Sequence, residues 1–252
     1  MGALRKLYRS LLLLLLIIAG LVLSIVFLRN TIPPNALSSR ITCRWLGSVA
    51  KVMGARVKIH GQPNRQQTLF VSNHISWLDI LVLGSTVPLH FLSKHEVKTM
   101  PVVGWLATRA GTLYIHRGKH ESASQASADI TRVLNQKHNA LVFAEGTTTD
   151  GHIRKFHSRM LQAAIDAEAM IQPVAIFYPR TNPQTNKIEV NPDALFTGKT
   201  TVGESFDRIS RAPFIDVEVH YLTPVAAAGK TRGELSLHAY EEVIAAIHKI
   251  RT

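Results

Sequence analysis

An uninterrupted apolar run near the amino terminus constrains the fold of this chain more than any other feature. Residues 11–28 include Ser24 as their single polar member. As a helix, a segment of this length extends about 27 Å, close to the hydrocarbon thickness of a bilayer. Basic residues precede the run, as in a secretory signal, but it is longer than a usual signal core and no A-x-A site follows before Arg29. We therefore interpret it as a retained membrane anchor.

A second segment with helical spacing follows the anchor. Between residues 36 and 53, apolar side chains recur every three or four positions, with basic ones between them. This pattern predicts an amphipathic helix at the level of the lipid headgroups, with Trp45 as an interfacial anchor, while a core helix of a soluble domain is the alternative. Basic residues flank the apolar run on both sides, so a re-entrant or monotopic hairpin is an alternative to a full span.

Charge is distributed unevenly along the chain. The net charge is +12, yet none of the first 78 residues is acidic, and ten of the 29 lysines and arginines lie among them. Because this basic excess flanks an apolar helix, it indicates an anionic membrane surface rather than nucleic acid as the partner. Cys43 is the only cysteine, which excludes an intramolecular disulfide.

The remainder of the chain alternates short apolar strands with helical patterns. This alternation predicts an α/β fold with a mostly parallel central sheet flanked by helices. We divide the chain into membrane-anchoring helices in residues 1–60 (an apolar helix at 11–28 and an amphipathic helix at about 36–53) and an α/β domain in residues 61–252. Pro183 and Pro192 lie within residues 180–211, and Pro179 and Pro213 flank this segment, which is expected to form loops or an excursion at the sheet edge.

The chemically most informative motif is a histidine and a carboxylate five positions apart, His74 and Asp79, directly after an apolar run. Histidine removes protons near neutral pH, and a carboxylate on its other ring nitrogen fixes the tautomer. Five residues of regular helix turn through about 500°, so the side chains meet only if His74 precedes the helix and Asp79 lies in its first turn. However, Ser76-x-x-Asp79 also resembles a helix capping box, in which Asp79 is purely structural.

Three further motifs follow in order: GTLYIHR at 111–117, VFAEGTT at 142–148 and IQPVAI at 171–176. Together with the N-H-x₄-D sequence that ends at Asp79, they resemble the four blocks of the glycerolipid acyltransferase family, typified by the bacterial 1-acylglycerol-3-phosphate (lysophosphatidic acid) acyltransferases. The blocks are specific through their order and spacing. The resemblance implies the family's α/β fold and an O-acyltransferase activity that transfers a fatty acyl group from a thioester to a lysolipid hydroxyl.

The resemblance also implies roles for single residues. His74 would be the general base that deprotonates the acceptor hydroxyl, and Asp79 would orient it. Arg117 would contact an anionic oxygen of the acceptor through its guanidinium group, and Glu145 and Gly146 would shape the pocket. The substrate-binding set implied by the first three blocks is Asn73, Gly111, Arg117, Glu145, Gly146 and Thr147.

The same resemblance implies partners and a location. Acyl-carrier protein or acyl-coenzyme A would donate the acyl group without a tightly bound cofactor, and membrane lipids and a lysophospholipid acceptor would complete the reaction. The catalytic domain would lie on the cytoplasmic side of a bacterial inner membrane. His116 and His120 have the i, i+4 spacing of a metal pair on a helix, but His116 belongs to a predicted strand, so no metal site is predicted.

Two positions depart from the family pattern. The third block is usually F-P-E-G-T-R, whereas Ala144 replaces the proline and Thr148 the arginine. That arginine is normally credited with part of phosphate recognition, so the acceptor head group stays open. The first expectation is 1-acylglycerol-3-phosphate, giving phosphatidic acid in phospholipid biosynthesis, and the alternative is another lysolipid such as lyso-ornithine lipid. An alternative of another class is a non-catalytic, membrane lipid-binding protein.

Overall fold

The computed structural model describes residues 1–27, 36–65, 67–116, 120–198 and 200–252. Two helices come first, α1 at Gly2–Val26 and α2 at Ala36–Val52. Both cover segments that the sequence pattern predicts to be helical. α1 begins at Gly2, well before the apolar run, and the predicted end of that run at Leu28 lies outside the described residues.

α1 packs against α2 on one face and exposes apolar side chains on the other. Gly20 allows the close approach, because a Cβ atom there would lie 2.8 Å from the ring of Trp45. The indole Nε1 of Trp45 donates a hydrogen bond to the backbone oxygen of Leu16 at 2.7 Å. α1 is also the candidate membrane helix, by length and hydropathy, among the described residues. Its exposed apolar side chains include Leu4, Leu7, Leu11, Leu14, Leu15, Ile18 and Val22.

The remaining elements alternate along the chain as expected for an α/β protein. The strands are β1 (Ala55–His60), β2 (Thr68–Ser72), β3 (His90–Lys94), β4 (Leu113–Ile115), β5 (Ala140–Phe143), β6 (Met170–Phe177), β7 (Pro179–Thr181), β8 (Ile188–Val190), β9 (Ile215–Tyr221) and β10 (Val225–Ala226). The helices are α3 (Leu78–Thr86), α4 (His95–Lys98), α5 (Val103–Arg109), α6 (His120–Asn135), α7 (Gln162–Asp166), α8 (Val202–Arg211) and α9 (Arg232–Arg251). A 3-10 turn, Arg159–Leu161, precedes α7.

The main sheet has the strand order β1-β9-β6-β2-β5-β3-β4, and β10 also pairs with β6. The five strands from β6 to β4 are mutually parallel. β9 is antiparallel to β6, and β1 runs parallel to β9. The sheet is therefore mostly parallel, with helices flanking it, and the predicted fold class is confirmed. Parallel strands place their carboxyl ends at one edge, where α/β proteins bind ligands.

The central strands are buried on both faces, which explains their continuous apolar sequences. All five residues of β2 are buried, including its two polar ends, Thr68 and Ser72. Helices cover the two faces, so the core surrounds the strands that carry the candidate site.

The segment between residues 180 and 211 is more regular than the loops or edge excursion that its prolines predict. It contains the β7–β8 hairpin and the helix α8. Thr201 and Glu204 form a capping box, in which each side chain accepts the backbone N–H of the other residue. This Thr-x-x-Glu signature was available in the sequence, and the prediction missed the helix because the prolines lie before and after α8 rather than within it.

α1 is fixed to the α/β body at its first turns. The buried guanidinium group of Arg9 donates to the backbone oxygens of Ile209 at 3.0 Å and Ala212 at 2.8 Å, at the carboxyl end of α8. Lys6 forms an ion pair with Asp207 of the same helix at 2.6 Å. Arg9 satisfies carbonyls that a helix end leaves unpaired, and its charge favours the negative end of the helix dipole. The basic residues before the apolar run thus hold α1 against the body.

Candidate active site

The predicted catalytic motif lies at the carboxyl edge of the parallel strands. His74 follows β2, Glu145 follows β5 and Tyr178 follows β6, so adjacent strands deliver three polar side chains to one place. β2 lies between β5 and β6, which makes His74 the central member of the group. The site is thus a consequence of strand order, and His74 is separated from Tyr178 by about a hundred residues of sequence.

His74 and Asp79 are in direct contact. Nδ1 of His74 lies 2.7 Å from Oδ2 of Asp79, and the carboxylate is fully buried while the imidazole is 16% exposed. Because a carboxylate only accepts hydrogen bonds, the proton of a neutral His74 resides on Nδ1 and the lone pair on Nε2. Among the described residues, the hydrogen bond to Asp79 is the one that engages this ring, which leaves Nε2 available to a substrate.

Asp79 also organises the turn between β2 and α3. Its Oδ2 accepts the backbone N–H groups of Ile75 at 2.7 Å and Ser76 at 3.0 Å. These are N–H groups just before the helix, which begins at Leu78. The capping role and the histidine contact, which the sequence presents as alternatives, therefore coincide in one carboxylate. Ser76 does not serve as the N-cap that the sequence pattern indicates, since Trp77 occupies that position.

Tyr178 is a member of the site that the sequence analysis missed. It is fully buried, and its hydroxyl donates to Oδ1 of Asp79 at 2.5 Å. Burial, reinforced by the charge of Asp79, raises the pKa of Tyr178 well above its ordinary value, so the hydroxyl remains a donor at neutral pH. The signal in the sequence is only its position directly after β6, next to the fourth family block. Tyr178, Asp79 and His74 form one hydrogen-bonded chain.

Asn73 connects the strand ends beneath this chain. Its Nδ2 donates to the backbone oxygen of Ile176, and its Oδ1 accepts the N–H of the same residue, both at 2.9 Å. The side chain is buried, and this two-way contact occupies its amide groups. The resemblance predicted that Asn73 binds substrate. In the structure its side chain instead links the end of β2 to β6 and so fixes the backbone position of the adjacent His74.

Glu145 fastens the loop after β5 to the histidine. Its Oε1 accepts the N–H of His74 and its Oε2 accepts the N–H of Arg154, each at 2.8 Å. Burial raises the pKa of Glu145, and these two backbone N–H groups partly oppose that shift. Thr149 completes the connection, because its N–H donates to the backbone oxygen of His74 at 2.8 Å. The third family block is thus bonded directly to the first.

Gly146 and Thr147 are half-buried members of this loop. Gly146 has a φ of +69°, and a Cβ atom there would lie 3.3 Å from the ring of His157. The positive φ explains the glycine, since other residues rarely adopt that conformation. The structure therefore brings Asn73, Glu145, Gly146 and Thr147 to the strand edge that carries His74.

A stacked phenylalanine forms one wall of the site. The rings of His74 and Phe143 are nearly parallel, with centroids 3.7 Å apart. Phe143 is the last residue of β5 and is followed by Ala144, the position where the family usually has proline. The contact fixes the plane of the imidazole from one side and shields it from water. Two constraints, the stack and the hydrogen bond to Asp79, therefore determine the orientation of Nε2.

The second family block is only partly joined to the others. Gly111 precedes β4, and its backbone oxygen lies 2.8 Å from Nδ1 of His90, the first residue of β3. This is the amino edge of the parallel strands, so the structure does not bring Gly111 to His74. The resemblance grouped Gly111 with the site because the glycine belongs to the second block, and the block alone does not show at which end of β4 the catalytic residues lie. Arg117, past the carboxyl end of β4, lies outside the described residues.

A cavity of about 380 Å³ lies at the amino edge of the sheet, lined by residues that include Arg40, Arg65, His90 and Lys137. It is on the opposite edge of the sheet from His74, so cavity volume does not locate the site. The His116–His120 spacing is likewise not a metal pair on one helix: His116 follows β4 and its ring stacks on His95 at 3.7 Å. The side chain of His120 lies outside the described part of the chain.

Comparison with known proteins identifies a family and individual relatives that match this chain. A family model described as "Acyltransferase" matches residues 56–177. The chain is 38% identical over 250 residues to a lyso-ornithine lipid O-acyltransferase of Pseudomonas aeruginosa, covering 96% of this chain and 93% of that relative. It is 33% identical over 119 residues to a 1-acyl-sn-glycerol-3-phosphate acyltransferase of Neisseria gonorrhoeae, covering 46% of this chain and 47% of the relative.

A solved structure shares the fold over nearly the whole chain. It is the 1-acyl-sn-glycerophosphate acyltransferase PlsC of Thermotoga maritima, with a TM-score of 0.71 and 20% identity, covering 99% of this chain and 95% of that chain. At this identity the likeness establishes the fold. An α/β fold with a histidine–aspartate pair at its carboxyl edge defines the class. The chain belongs to the acyltransferase family of lipid metabolism, and its apolar amino-terminal helix indicates membrane anchoring.

Proposed function

We propose that this protein is a lysolipid O-acyltransferase in which His74 is the general base, and that its acceptor is a lyso-ornithine lipid. The observation that carries the catalytic assignment is the hydrogen-bonded chain from Tyr178 through Asp79 to Nδ1 of His74. In the neutral imidazole this arrangement leaves the lone pair on Nε2, at the carboxyl edge of the sheet. The relative of Pseudomonas aeruginosa, which matches along almost its whole length, supports the acceptor.

The chemistry follows from this geometry. Nε2 of His74 takes the proton of the acceptor hydroxyl as its oxygen attacks the thioester carbonyl of the donor, and the C–S bond breaks as the tetrahedral intermediate collapses. The imidazolium then returns the proton to the departing thiolate. Asp79 stabilises the imidazolium through Nδ1, and Tyr178 and two backbone N–H groups hold the carboxylate in place. Transfer is direct, so an acyl-enzyme intermediate is not required.

The acceptor assignment depends on Thr148. The family's arginine at this position would supply a cation for a phosphate, and the half-buried Thr148 supplies none. A lyso-ornithine lipid carries a carboxylate and an ammonium group but no phosphate, so it does not need that arginine. Lysophosphatidate is the second candidate, because two Neisseria relatives named 1-acyl-sn-glycerol-3-phosphate acyltransferase are 33% identical to this chain over 119 residues.

The α1–α2 hairpin supports a monotopic association with a membrane. Arg9 and Lys6 fix the start of α1 to α8, and Trp45 fixes its middle to α2, so much of the helix is held against protein on one face. Its opposite face is apolar and exposed. α5, which contacts α1, adds the exposed apolar residues Val103 and Trp105. We propose that this surface enters one leaflet and brings the catalytic domain to its lipid acceptor.

The proposed donor is acyl-carrier protein or acyl-coenzyme A. Both are anionic thioesters, and the chain has a net charge of +12, which favours encounter with either. The same charge favours anionic lipids of a cytoplasmic membrane face. A bacterial inner membrane, with the catalytic domain on its cytoplasmic side, is therefore the proposed location.

The deciding experiment compares acceptors in the wild-type protein and two variants. Purified protein in mixed micelles is given an acyl thioester and either lyso-ornithine lipid or lysophosphatidate, and acylated product is measured. We expect preference for lyso-ornithine lipid, loss of about 10²–10⁴-fold in His74→Ala, and a shift toward lysophosphatidate in Thr148→Arg. Lysophosphatidate preference in the wild type would establish the second candidate. Normal turnover by His74→Ala would refute the base, and lipid binding without turnover would indicate a binding protein.

A further inference from the structure

A cluster of two histidines and a glutamate lies away from the catalytic edge. His60 on β1 is the direct neighbour of His220 on β9, and Glu218 lies two residues before His220 on the same face. These strands are at the far end of the sheet, with β6 between β9 and the strand that leads to His74. None of the three residues contributes a contact to the catalytic chain.

The three side chains converge to distances that suit a metal ion. Oε2 of Glu218 lies 3.1 Å from Nε2 of His220 and 3.4 Å from Nε2 of His60. All three candidate ligand atoms lie within 4.8 Å of one another. Zinc bonds of about 2.0–2.1 Å to histidine nitrogen and carboxylate oxygen place tetrahedral ligand atoms about 3.3 Å apart. The glutamate–histidine separations therefore already match a tetrahedral site.

The unsatisfied hydrogen bonding of His60 supplies a second observation. Its Nε2 atom is buried and has no hydrogen-bond partner among the described residues, although the carboxylate of Glu218 is near. Polar atoms that are buried and unpaired are uncommon and cost stability. A cation held between His60 and Glu218 would satisfy this nitrogen.

We propose that His60, Glu218 and His220 bind a divalent transition-metal ion of the zinc class and thereby fasten the edge strand β1 to β9. Two imidazole nitrogens and one carboxylate oxygen are a ligand set that zinc accepts, with a fourth position for water at this partly exposed surface. The ion would act structurally, since β1 directly follows α2 and connects the helical hairpin to the sheet.

Binding requires one local rearrangement. The imidazoles of His60 and His220 stack with centroids 4.1 Å apart and an angle of 15° between the rings. A metal ion must lie in the plane of each ring that binds it, so the rings must splay apart about their χ2 torsions. The χ2 torsion of histidine is broad, which allows this change without moving the strands. Lys58, whose ammonium lies 3.9 Å from Glu218, competes with a cation at the same carboxylate.

Metal binding to untagged, chelator-treated full-length protein tests the proposal. We expect one Zn²⁺ per chain by calorimetry, the visible absorption of tetrahedral Co²⁺ on substitution, and a higher thermal midpoint with excess Zn²⁺. His60→Ala and His220→Ala should each weaken binding by at least about tenfold, the lower bound seen even for outer-shell partners. The matched control, His248→Ala, removes an exposed histidine of α9 and should bind Zn²⁺ as the wild type does.

Lys58→Ala separates a metal site from a merely packed histidine pair. Removing the competing ammonium should tighten Zn²⁺ binding if the three residues form a metal site. If the two histidines only stack on each other, the substitution should leave Zn²⁺ binding unchanged. Absence of stoichiometric binding in the folded wild type, or equal binding by His60→Ala and the wild type, would overturn the proposal. Circular dichroism confirms that each variant is folded before it is titrated.

Discussion

Replacing Tyr178 with phenylalanine isolates the contribution of a single buried hydroxyl to the catalytic pair. The ring is retained, so the core around this fully buried side chain keeps its volume. The change removes the donor to Oδ1 of Asp79 and leaves the three donors on Oδ2, namely Nδ1 of His74 and the N–H groups of Ile75 and Ser76. The carboxylate is thus held at one oxygen and released at the other.

The expected magnitude follows from the loss of one hydrogen bond to a buried charged group. Such bonds contribute about 1.5–3 kcal/mol, so the free energy of unfolding of Tyr178→Phe should fall by that amount. If about 1.4 kcal/mol of it is also lost from the transition state, kcat/KM falls about tenfold. This loss is smaller than that expected for Asp79→Ala, because three donors still hold the carboxylate in the phenylalanine variant.

Urea unfolding and steady-state acyl transfer measure the two quantities on the same preparations. Tyr221→Phe is the matched control, because Tyr221 is also a buried tyrosine, and its hydroxyl pairs with Thr86 at the opposite end of α3 from Asp79. That variant should lose about 0.5–1.5 kcal/mol of stability with little change in kcat/KM. Wild-type stability and wild-type kcat/KM in Tyr178→Phe would refute the positioning role.

Three further predictions concern other parts of the chain. Asp79→Asn keeps the volume and removes the counter-charge of the imidazolium, so kcat should fall about 10²-fold or more in the acyl-transfer assay, and a near-normal kcat would contradict it. Burial lowers the pKa of His90 from 6.5 to about 4, so the stability it contributes is present above pH 6.5 and is lost as pH falls toward 4. At about 1.36 kcal/mol per pKa unit this loss approaches about 3 kcal/mol, and it should be absent from the pH-dependent urea unfolding of His90→Asn. Gly20→Ala should destabilise the helical hairpin despite alanine's better helix propensity, because its Cβ would lie 2.8 Å from the ring of Trp45; an increase in thermal midpoint would contradict this contact.

The sequence predicted the fold class because its signals are local. Alternating apolar runs and helical patterns identify α/β architecture without any tertiary information, and the predicted helix at about 36–53 corresponds to α2 at Ala36–Val52. The predictions failed where a local signal was misread or was absent. The prolines around α8 suggested a loop, although the Thr-x-x-Glu capping box indicated a helix start. The residues of β1 are mostly exposed, so this strand lacks the apolar run by which strands were recognised.

The site was predictable only in part, because sequence signals are local and several of its contacts join residues far apart in sequence. His74 and Asp79 are close in sequence, so the geometry of one turn allowed their contact and the family resemblance implied it, and the structure shows it at 2.7 Å. Tyr178 reaches the same carboxylate from β6, and Glu145 reaches the backbone of His74 from β5. Strand order decides such contacts, and strand order is a property of the folded chain.

By itself the sequence determined an apolar amino-terminal helix, an α/β body and a histidine five residues before an aspartate, because each depends on neighbours along the chain. Tertiary structure decided what that pair is bonded to, which motif residues join it and which lie elsewhere. It placed Gly111 at the opposite edge of the sheet and added Tyr178 to the pair. The physical reason is that the carboxyl ends of parallel strands converge in space, whereas their order in the sheet is set by packing between residues far apart in sequence.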